Sequence, residues 1–331
     1  MFKAIRLLLL RLVAVSCLAM PGISARADTS WPQRPVTLLV GFAAGGATDG
    51  MARLYAQKLT EILGVQVLVD NRPGAAQLVA IRALRNAAPD GYVLYMGTGS
   101  SLAQGPGMRK DLPYDPLKDF TLIDMVATSP GIVIVNPAVP AKTLGELLDY
   151  AAKNPDQLNY GSAGIGTANH LQTAYLMART GIRLNHVPYK SDSEVVREVV
   201  AGRLQMSIST AQVAMPMITA GRVRALAVTS VKPLSFVPGV PTLGEGGVKG
   251  IEGLDPFTFY GVVGPAHMPA ELVSRLSSAF NDISKMPDVV EKMRTTLFAE
   301  PSIGTAATFR SFMEGEVAKW GEVGKSVKLT E

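Results

Sequence analysis

Apolar and polar positions follow two different periods along the chain, and the clearest switch between them lies near its beginning. Thr37 to Val40 is a continuous apolar run of strand length. Further on, apolar residues recur at the 3.6-residue spacing of an amphipathic helix that stops at Gly64: Met51, Leu54, Tyr55, Leu59 and Ile62. The pattern predicts a buried strand followed by a helix.

The link between this strand and this helix is rich in glycine. Gly45 and Gly46 permit positive φ angles and let the backbone approach a ligand closely. Thr48 and Asp49 are residue types that favour helix N-caps. Free N–H groups at a helix start, together with the positive end of the helix dipole, form an anion site. We therefore predict that this turn holds a carboxylate.

The same order of strand, glycine turn and helix recurs in the middle of the chain. Leu158 to Tyr160 leads into the small-residue run Gly161 to Thr167, and a helical pattern follows from Ala168 to Arg179. Elsewhere strands also alternate with helices, for example at Ile132 to Val135 and in the capped helix that begins at Thr143. The alternation predicts an α/β fold with parallel-rich sheets. Two glycine turns indicate two lobes with a ligand cleft between them.

Residues 1–27 have the pattern of a secretory signal peptide, with a basic start, an apolar run and the sequence Ala25-Arg26-Ala27. Its removal would take away the only cysteine, Cys17, and with it any disulfide or thiolate nucleophile. Four basic residues lie in this segment of a chain whose net charge is +5, so the mature protein is close to neutral. We therefore expect no nucleic-acid partner. The three histidines lack metal-ligand spacing, and neither a metal nor a cofactor is expected.

Several short motifs, in order through nearly the whole mature chain, resemble the substrate-binding proteins of tripartite tricarboxylate transporters, also called the Bug family. They are Trp31-Pro32-Gln33-Arg34-Pro35-Val36, Gly45-Gly46-Ala47-Thr48-Asp49, Asp70-Asn71-Arg72-Pro73-Gly74-Ala75, Pro89-Asp90-Gly91-Tyr92, Leu112-Pro113-Tyr114-Asp115-Pro116, Leu158-Asn159-Tyr160-Gly161-Ser162-Ala163-Gly164, His186-Val187-Pro188-Tyr189-Lys190 and Ala225-Leu226-Ala227-Val228-Thr229.

The resemblance implies a periplasmic-binding-protein type II fold in which two lobes close on a small organic carboxylate. It implies a discontinuous first lobe, residues 28–128 plus 232–331, and a second lobe, residues 129–231. It further implies a periplasmic protein that delivers its ligand to the membrane permease subunits of a transporter. We expect it to act as a monomer.

In this family, one carboxylate of the ligand is held between the two glycine turns by backbone N–H groups, small hydroxyls and bridging waters. Matched by position, the resemblance implies ligand-binding residues in both turns and after two further strands: Gly45, Gly46, Ala47, Thr48, Asp49, Ser100, Ser162, Gly164, Thr167 and Ser209. Neither turn contains an arginine, so neutral donors are expected to hold the anion.

The chain departs from the family pattern at three places. Ala43 and Ala44 stand where the family commonly has prolines, and Ser191-Asp192 follows Pro-Tyr-Lys where a glycine is usual. Ile208-Ser209-Thr210 stands where the family often has Phe-Asp-Asn. The last two changes lie where the far end of the ligand would be recognised. The sequence therefore leaves open whether the ligand is a di- or tricarboxylate, an aromatic acid or an amino acid.

Two alternative functions remain open at this point. A ligand sensor that presents itself to a signalling partner would have the same fold and the same cleft. A serine hydrolase is suggested by Gly99-Ser100-Ser101-Leu102-Ala103, a near match to the nucleophile-elbow motif, and by Ser162 between glycines. Because a hydrolase also needs a positioned histidine and carboxylate, and few histidines are present, we predict that the chain is not an enzyme.

Overall fold

The computed structural model describes residues 31–109, 111–230, 232–234, 236–246, 251 and 258–326. The predicted signal peptide, residues 1–27, lies outside these residues. From Arg34 onward the chain forms one unit, whose residues contact one another extensively.

Strands and helices alternate along the described residues, as the hydrophobic pattern predicts. The strands are β1 (Val36–Val40), β2 (Val67–Asn71), β3 (Val93–Thr98), β4 (Phe120–Ser129), β5 (Gly131–Val135), β6 (Asn159–Ser162), β7 (Asn185–Pro188), β8 (Met206–Thr210), β9 (Arg224–Val228), β10 (Thr258–Pro265) and β11 (Glu300–Pro301). The helices are α1 (Ala47–Leu63), α2 (Leu78–Arg85), α3 (Gly105–Met108), α4 (Leu144–Lys153), α5 (Ala168–Thr180), α6 (Asp192–Val200), α7 (Ala211–Thr219), α8 (Ala270–Lys285), α9 (Pro287–Lys292) and α10 (Ala306–Ser326).

The strands form two sheets, with the order β11-β4-β10-β3-β1-β2 in the first and β7-β6-β8-β5-β9 in the second. Among the described pairs, four are parallel. Five pairs are antiparallel, because β4, β5, β10 and β11 run against their neighbours. The α/β fold class is confirmed, and both sheets are mixed.

The second sheet has a hydrophobic layer on each face. Alternate residues of β5 face opposite sides, so Ile132 packs with α6 and α7 while Val133 packs with α4 and α5. All four residues from Ile132 to Val135 are fully buried. This two-sided burial explains why β5 is a continuous apolar run rather than an alternating one.

The chain passes from the first sheet to the second through Pro130, which separates β4 from β5. At this crossing the N–H of Gly131 donates to Thr229 Oγ1 at 2.7 Å, and the N–H of Thr229 donates to the Gly131 carbonyl at 2.9 Å. A Cβ at Gly131 would lie 2.9 Å from Ile208 Cγ2, so only glycine fits here. The start of β5 and the segment after β9 are therefore hydrogen-bonded to each other where both leave the second sheet.

Strand β4 is an element that the sequence pattern did not predict. Its middle residue is Asp124, which is buried and accepts a hydrogen bond from Asn281 Nδ2 on α8 at 2.7 Å. Burial raises the pKa of Asp124 to about 7, although the Met125 N–H and Ser277 donate to it. A polar group in the middle of an apolar run interrupts the strand pattern, and its partner lies 157 residues away.

Candidate functional site

Residues that follow several strand ends surround one cavity of about 220 Å³. Helices α1, α5, α6 and α7 each contribute their first residue or N-cap to its wall, so their positive dipole ends meet there. The wall is lined by Phe42, Ala43, Ala44, Gly45, Gly46, Ala47, Thr48, Thr98, Ser100, Ala163, Thr167, Ala168, Asn169, Lys190, Ser191, Asp192, Ser193, Thr210, Val213, Thr258 and Tyr260. Such an arrangement favours an anionic ligand.

The first glycine turn leaves the start of α1 uncapped. Gly46 is the N-cap, with an extended backbone (φ −88°, ψ 177°), and no side chain accepts from the first N–H groups of the helix. Thr48 and Asp49 were predicted as N-cap types, but they lie inside the first turn of α1. That prediction of the cap position is wrong, because the helix begins at Ala47. A glycine N-cap leaves the orphan N–H groups to another acceptor.

Asp49 stabilises the first glycine turn through two hydrogen bonds. Its Oδ2 accepts the N–H of Gly45 and the Nε of Arg53, each at 2.9 Å, while its side chain is buried. Burial by itself would raise the pKa of Asp49, but the hydrogen bonds from Arg53 and from Gly45 outweigh it and hold the pKa below its usual range. Arg53 lies on the solvent side of α1 and is half exposed.

The second glycine turn repeats this arrangement at α5. Thr167 is the N-cap, but its hydroxyl donates to the Gly164 carbonyl at 2.6 Å and does not cap the helix. The N–H of Gly166 donates to His170 Nδ1 at 3.0 Å. In both turns, the residue before the N-cap therefore donates to a side chain four residues later, and the helix N–H groups beyond it remain free of side-chain caps.

The structure brings six of the ten predicted ligand-binding residues to the cavity wall: Gly45, Gly46, Ala47, Thr48, Ser100 and Thr167. The other four lie elsewhere. Asp49 and Ser162 lie behind the two turns, and Gly164 faces an adjoining cavity. Ser209 is fully buried and donates to Ser207 Oγ at 3.1 Å. A direct ligand contact of these four stays a prediction.

Ser100 is held in place by a buried amide. Gln77 Nε2 donates to Ser100 Oγ at 2.9 Å, and the Tyr95 hydroxyl donates to Gln77 Oε1 at 2.7 Å. The hydroxyls of Thr98 and Ser100 lie 2.9 Å apart. Gln77 itself has a positive φ of 75°, which non-glycine residues rarely adopt. The hydroxyl of Ser100 is therefore presented to the cavity in a fixed orientation.

Ser162 contacts a histidine, as a hydrolase would require, but the serine itself is buried away from the cavity. Ser162 Oγ lies 2.6 Å from His186 Nε2 and also contacts the Gly164 backbone. Ser162 has no exposed surface and does not line the cavity. The pair supports the second glycine turn, to which His170 is also hydrogen-bonded.

Asp192 is a cavity residue that the predicted site did not include. It begins α6 and keeps part of its surface accessible. Asn169 Nδ2 donates to its Oδ1 at 2.8 Å, while the N–H and hydroxyl of Thr210 donate to its Oδ2 at 2.9 and 2.8 Å. Burial raises the pKa of Asp192 despite these bonds. The sequence signal that could have found this contact is that Ser191-Asp192 and Ser209-Thr210 both depart from the family pattern.

Tyr260 and Lys190 complete the polar wall. Tyr260 lies on β10 and is almost fully buried, and this burial raises the pKa of its phenol to about 12 although Ser129 and Thr48 contact the hydroxyl. Lys190 lies on the exposed rim and also lines an adjoining, larger cavity of about 700 Å³. That second cavity includes Arg109 and Gly164, and it shares Phe42, Ala43, Ala163, Thr167 and Lys190 with the first.

No group of three or more histidine, cysteine, aspartate or glutamate side chains is placed to hold a metal ion in the described part of the chain. None of the helices described here is both long and apolar enough to cross a membrane.

Comparison with known families gives one match that covers most of the chain. Residues 51–329 match the model of the tripartite tricarboxylate transporter family receptor. A curated relative from Pseudomonas sp. (strain P51), the UPF0065 protein in the tcbD-tcbE intergenic region, is 34% identical over 94% of this chain and 92% of its own length.

Solved structures of similar sequence have the same fold. R. palustris Rpa4515 with adipate is 32% identical, with a TM-score of 0.83 over 89% of this chain and 98% of that one. MatC (Rpa3494) from Rhodopseudomonas palustris, with bound malate, is 26% identical, with a TM-score of 0.82 over 89% of this chain and all of the other. Both of those proteins hold a carboxylate in their structures.

Proposed function

This chain belongs to the tripartite tricarboxylate transporter receptor family, and on that basis we propose that it captures a small organic carboxylate in the periplasm and delivers it to a membrane permease. The observation that carries the proposal is the meeting of two uncapped helix starts at one cavity. Gly46 and Thr167 are the N-caps of α1 and α5, and both line the cavity wall. The relatives that hold adipate and malate support a carboxylate as the ligand class.

In this proposal the anion is bound by neutral groups. The N–H groups after Gly46 and Thr167 would donate to the carboxylate oxygens, and the Ser100 hydroxyl is positioned to add a further donor. Such bonds are charge-assisted and therefore stronger than bonds between neutral groups. Asp49 and His170 act indirectly, because each fixes the glycine turn that presents these donors.

We assign the two lobes as residues 28–128 plus 232–331 and residues 129–231. Each contains one of the two sheets, and the first crossing between them runs through Pro130. A ligand that contacts both glycine turns binds only the closed arrangement well and so shifts the population toward it. The hydrogen-bonded pair Gly131 and Thr229 would lie at the hinge of this motion.

Thermal unfolding of the ligand-free protein with a panel of acids tests the proposal. The panel contains succinate, malate, adipate, citrate, glutamate, nicotinate, benzoate and terephthalate. An acid at about a hundred times its dissociation constant should stabilise the folded state by about 2.7 kcal/mol. That corresponds to a rise of several degrees in Tm. If no acid raises Tm, carboxylate capture is wrong. If the protein instead hydrolyses esters of these acids, the hydrolase alternative gains support.

A further inference from the structure

The cavity wall contains a carboxylate of its own as well as the donors proposed for the ligand. Asp192 lines the wall and retains accessible surface, while the N-caps of α1 and α5 line the same cavity. A cavity built only to hold anions would gain nothing from a negative charge in its wall. Asp192 therefore requires an explanation beyond the binding of a carboxylate.

In the part of the chain that the structure describes, no positively charged side chain donates a hydrogen bond to Asp192. Its three donors, from Asn169 and Thr210, are neutral groups. The hydroxyl of Ser209 lies nearby but donates to Ser207 Oγ. Among the described residues, no lysine, arginine or histidine forms a salt bridge with Asp192. A carboxylate has about four acceptor positions, so one further donor can be accommodated.

The remaining acceptor position of the Asp192 carboxylate lies close to the proposed carboxylate site. Asn169 lies in the first turn of α5, whose N–H groups are the proposed anion donors, and its side chain contacts Asp192 Oδ1 at 2.8 Å. A ligand whose carboxylate is held at that helix start would therefore bring a neighbouring substituent near Asp192. A second carboxylate there would be repelled, whereas an ammonium group would supply the missing positive charge.

We propose that Asp192 selects the ligand by binding an ammonium group, so that the cavity takes an amino acid in preference to a dicarboxylate. This inference rests on the proposed function, because it assumes that the ligand carboxylate is held at the two glycine turns. The ammonium of the ligand donates to Asp192 and the carboxylate of the same ligand accepts from α1 and α5. The two ends of a zwitterion thus match the two charges of the cavity wall.

Other charged groups near Asp192 leave this assignment intact. Tyr260 on β10 interacts electrostatically with Asp192. Because the pKa of its phenol is raised, the phenol is neutral at physiological pH. Lys190 precedes α6 and also lines the cavity, but it lies on the exposed rim, and among the described residues its ammonium forms no salt bridge with Asp192. The contacts from α5 and β8 come from neutral side chains and backbone.

Matched pairs of ligands that differ only in an amino group test the inference. Calorimetric binding would compare aspartate with succinate, glutamate with glutarate, and leucine with 4-methylpentanoate. In the pair that binds, the amino acid should bind at least about tenfold more tightly. Equal or tighter binding of the acid without the amino group would overturn the inference while leaving carboxylate capture standing. Binding of no compound in any pair would also overturn the inference, and the panel of acids then decides separately whether carboxylate capture stands.

Substitution of Asp192 separates ligand recognition from support of the fold. Asp192→Asn keeps an oxygen that accepts from Thr210 but removes the charge, so affinity for the amino acid should fall about 10- to 100-fold. Affinity for the acid without an amino group should stay the same or rise. Equal weakening of both ligands would show a structural role only. Asp149→Asn, the same change at an exposed position of α4 away from the cavity wall, is the matched control and should leave the ligand preference unchanged.

A pH series on the unaltered protein gives a second measurement that does not depend on a variant. Protonation of Asp192 removes the partner of the ammonium, so affinity for the amino acid should fall as the pH is lowered. Affinity for a dicarboxylate should rise over the same range, because the repulsion is removed. Parallel pH dependence of the two ligands would contradict the assignment.

Discussion

The imidazole rings of His170 and His186 stack with their centroids 4.2 Å apart and an interplanar angle of 14°. Each ring holds a different part of the second glycine turn, because His170 accepts the N–H of Gly166 and His186 contacts Ser162 Oγ. Burial lowers the pKa of His170 to about 4, with further contributions from His186 and Arg109. The turn is therefore assembled on two imidazoles whose neutral forms are favoured.

The first prediction concerns acid stability. The pKa of His170 is about 4 in the folded state and 6.5 when unperturbed, so between these values the unfolded chain binds more protons. The free energy of unfolding should therefore fall by about 3 kcal/mol as the pH drops through this range. His170→Asn offers Gly166 an amide oxygen that does not titrate, and it should reduce this fall. Denaturant unfolding of both proteins at pH 7.5 and pH 4.5 measures this fall in the free energy of unfolding.

The control for this experiment is His267→Asn. His267 is exposed and has a positive φ of 67°, a conformation that asparagine tolerates. This variant should keep the pH dependence of the unaltered protein. If His170→Asn also keeps it, the stability of the protein in acid is not limited by the histidine pair.

The second prediction concerns the first glycine turn. At Gly46 a Cβ would meet only the Ala43 carbonyl oxygen at 3.7 Å, and the backbone has an ordinary negative φ. Gly46→Val should therefore fold, yet its methyl groups should occupy the space where the carboxylate approaches. We expect ligand binding to be lost with a small change in Tm. Binding is measured by calorimetry with the acid identified in the panel.

Gly315→Val is the matched control for this loss. Gly315 lies in α10, and a Cβ there would meet no atom within 4 Å. The control should bind the acid with unchanged affinity. Normal affinity of Gly46→Val would show that the carboxylate is held elsewhere.

The third prediction separates the two bonds of Asp49. Asp49→Ala removes the acceptor for the Gly45 N–H and the partner of Arg53, and it should lower the free energy of unfolding by about 1 to 2 kcal/mol. Asp49→Asn keeps an acceptor for Gly45 and should lose less stability and less ligand affinity. Because the pKa of Asp49 is lowered in the folded state, its contribution is present near neutral pH and is lost in acid. Equal losses in both variants would assign the effect to Arg53.

The fourth prediction has the opposite pH dependence. The pKa of Asp124 is about 7 in the folded state and 3.8 when unperturbed, so the folded chain binds more protons between these values. This group therefore destabilises the protein as the pH rises. Asp124→Asn removes the charge. Its free energy of unfolding, relative to that of the unaltered protein, should therefore rise by roughly 1 to 3 kcal/mol from pH 5 to pH 8. Unfolding curves of both proteins at pH 5 and pH 8 test this prediction. The same change in unfolding free energy between the two pH values in both proteins would contradict it.

Local patterns were sufficient to predict most of the elements that carry the site. The apolar run at β1, the 3.6-residue spacing in α1 and the stop at Gly64 predict a unit whose helix spans Ala47–Leu63 and ends at an αL glycine. Thr143 likewise accepts the N–H of Glu146, as its capping box predicts. These features depend on neighbouring residues, so one short stretch of sequence contains their causes.

Features that depend on distant contacts were missed. Strand β4 contains Asp124, which interrupts the apolar run of the strand. The partner that makes this buried aspartate acceptable, Asn281, is far along the chain. Asp192 has the residue type expected in the first turn of any helix, and its contact with Thr210 exists only after β8 is in place. The start of α1 was misplaced because Thr48 is a good cap type, whereas the turn that lines the cavity uses Gly46 as the N-cap.

The position of β10 between β3 and β4 determines the order in which the two sheets are completed. Every strand of the second sheet has been synthesised by Val228, whereas β3 and β4 have no partner at their facing edges until residues 258–265 have followed. During synthesis, the second sheet therefore has all of its strands while the first sheet still lacks β10. In that interval the facing edges of β3 and β4 are unpaired, and a chaperone would protect the chain from aggregation.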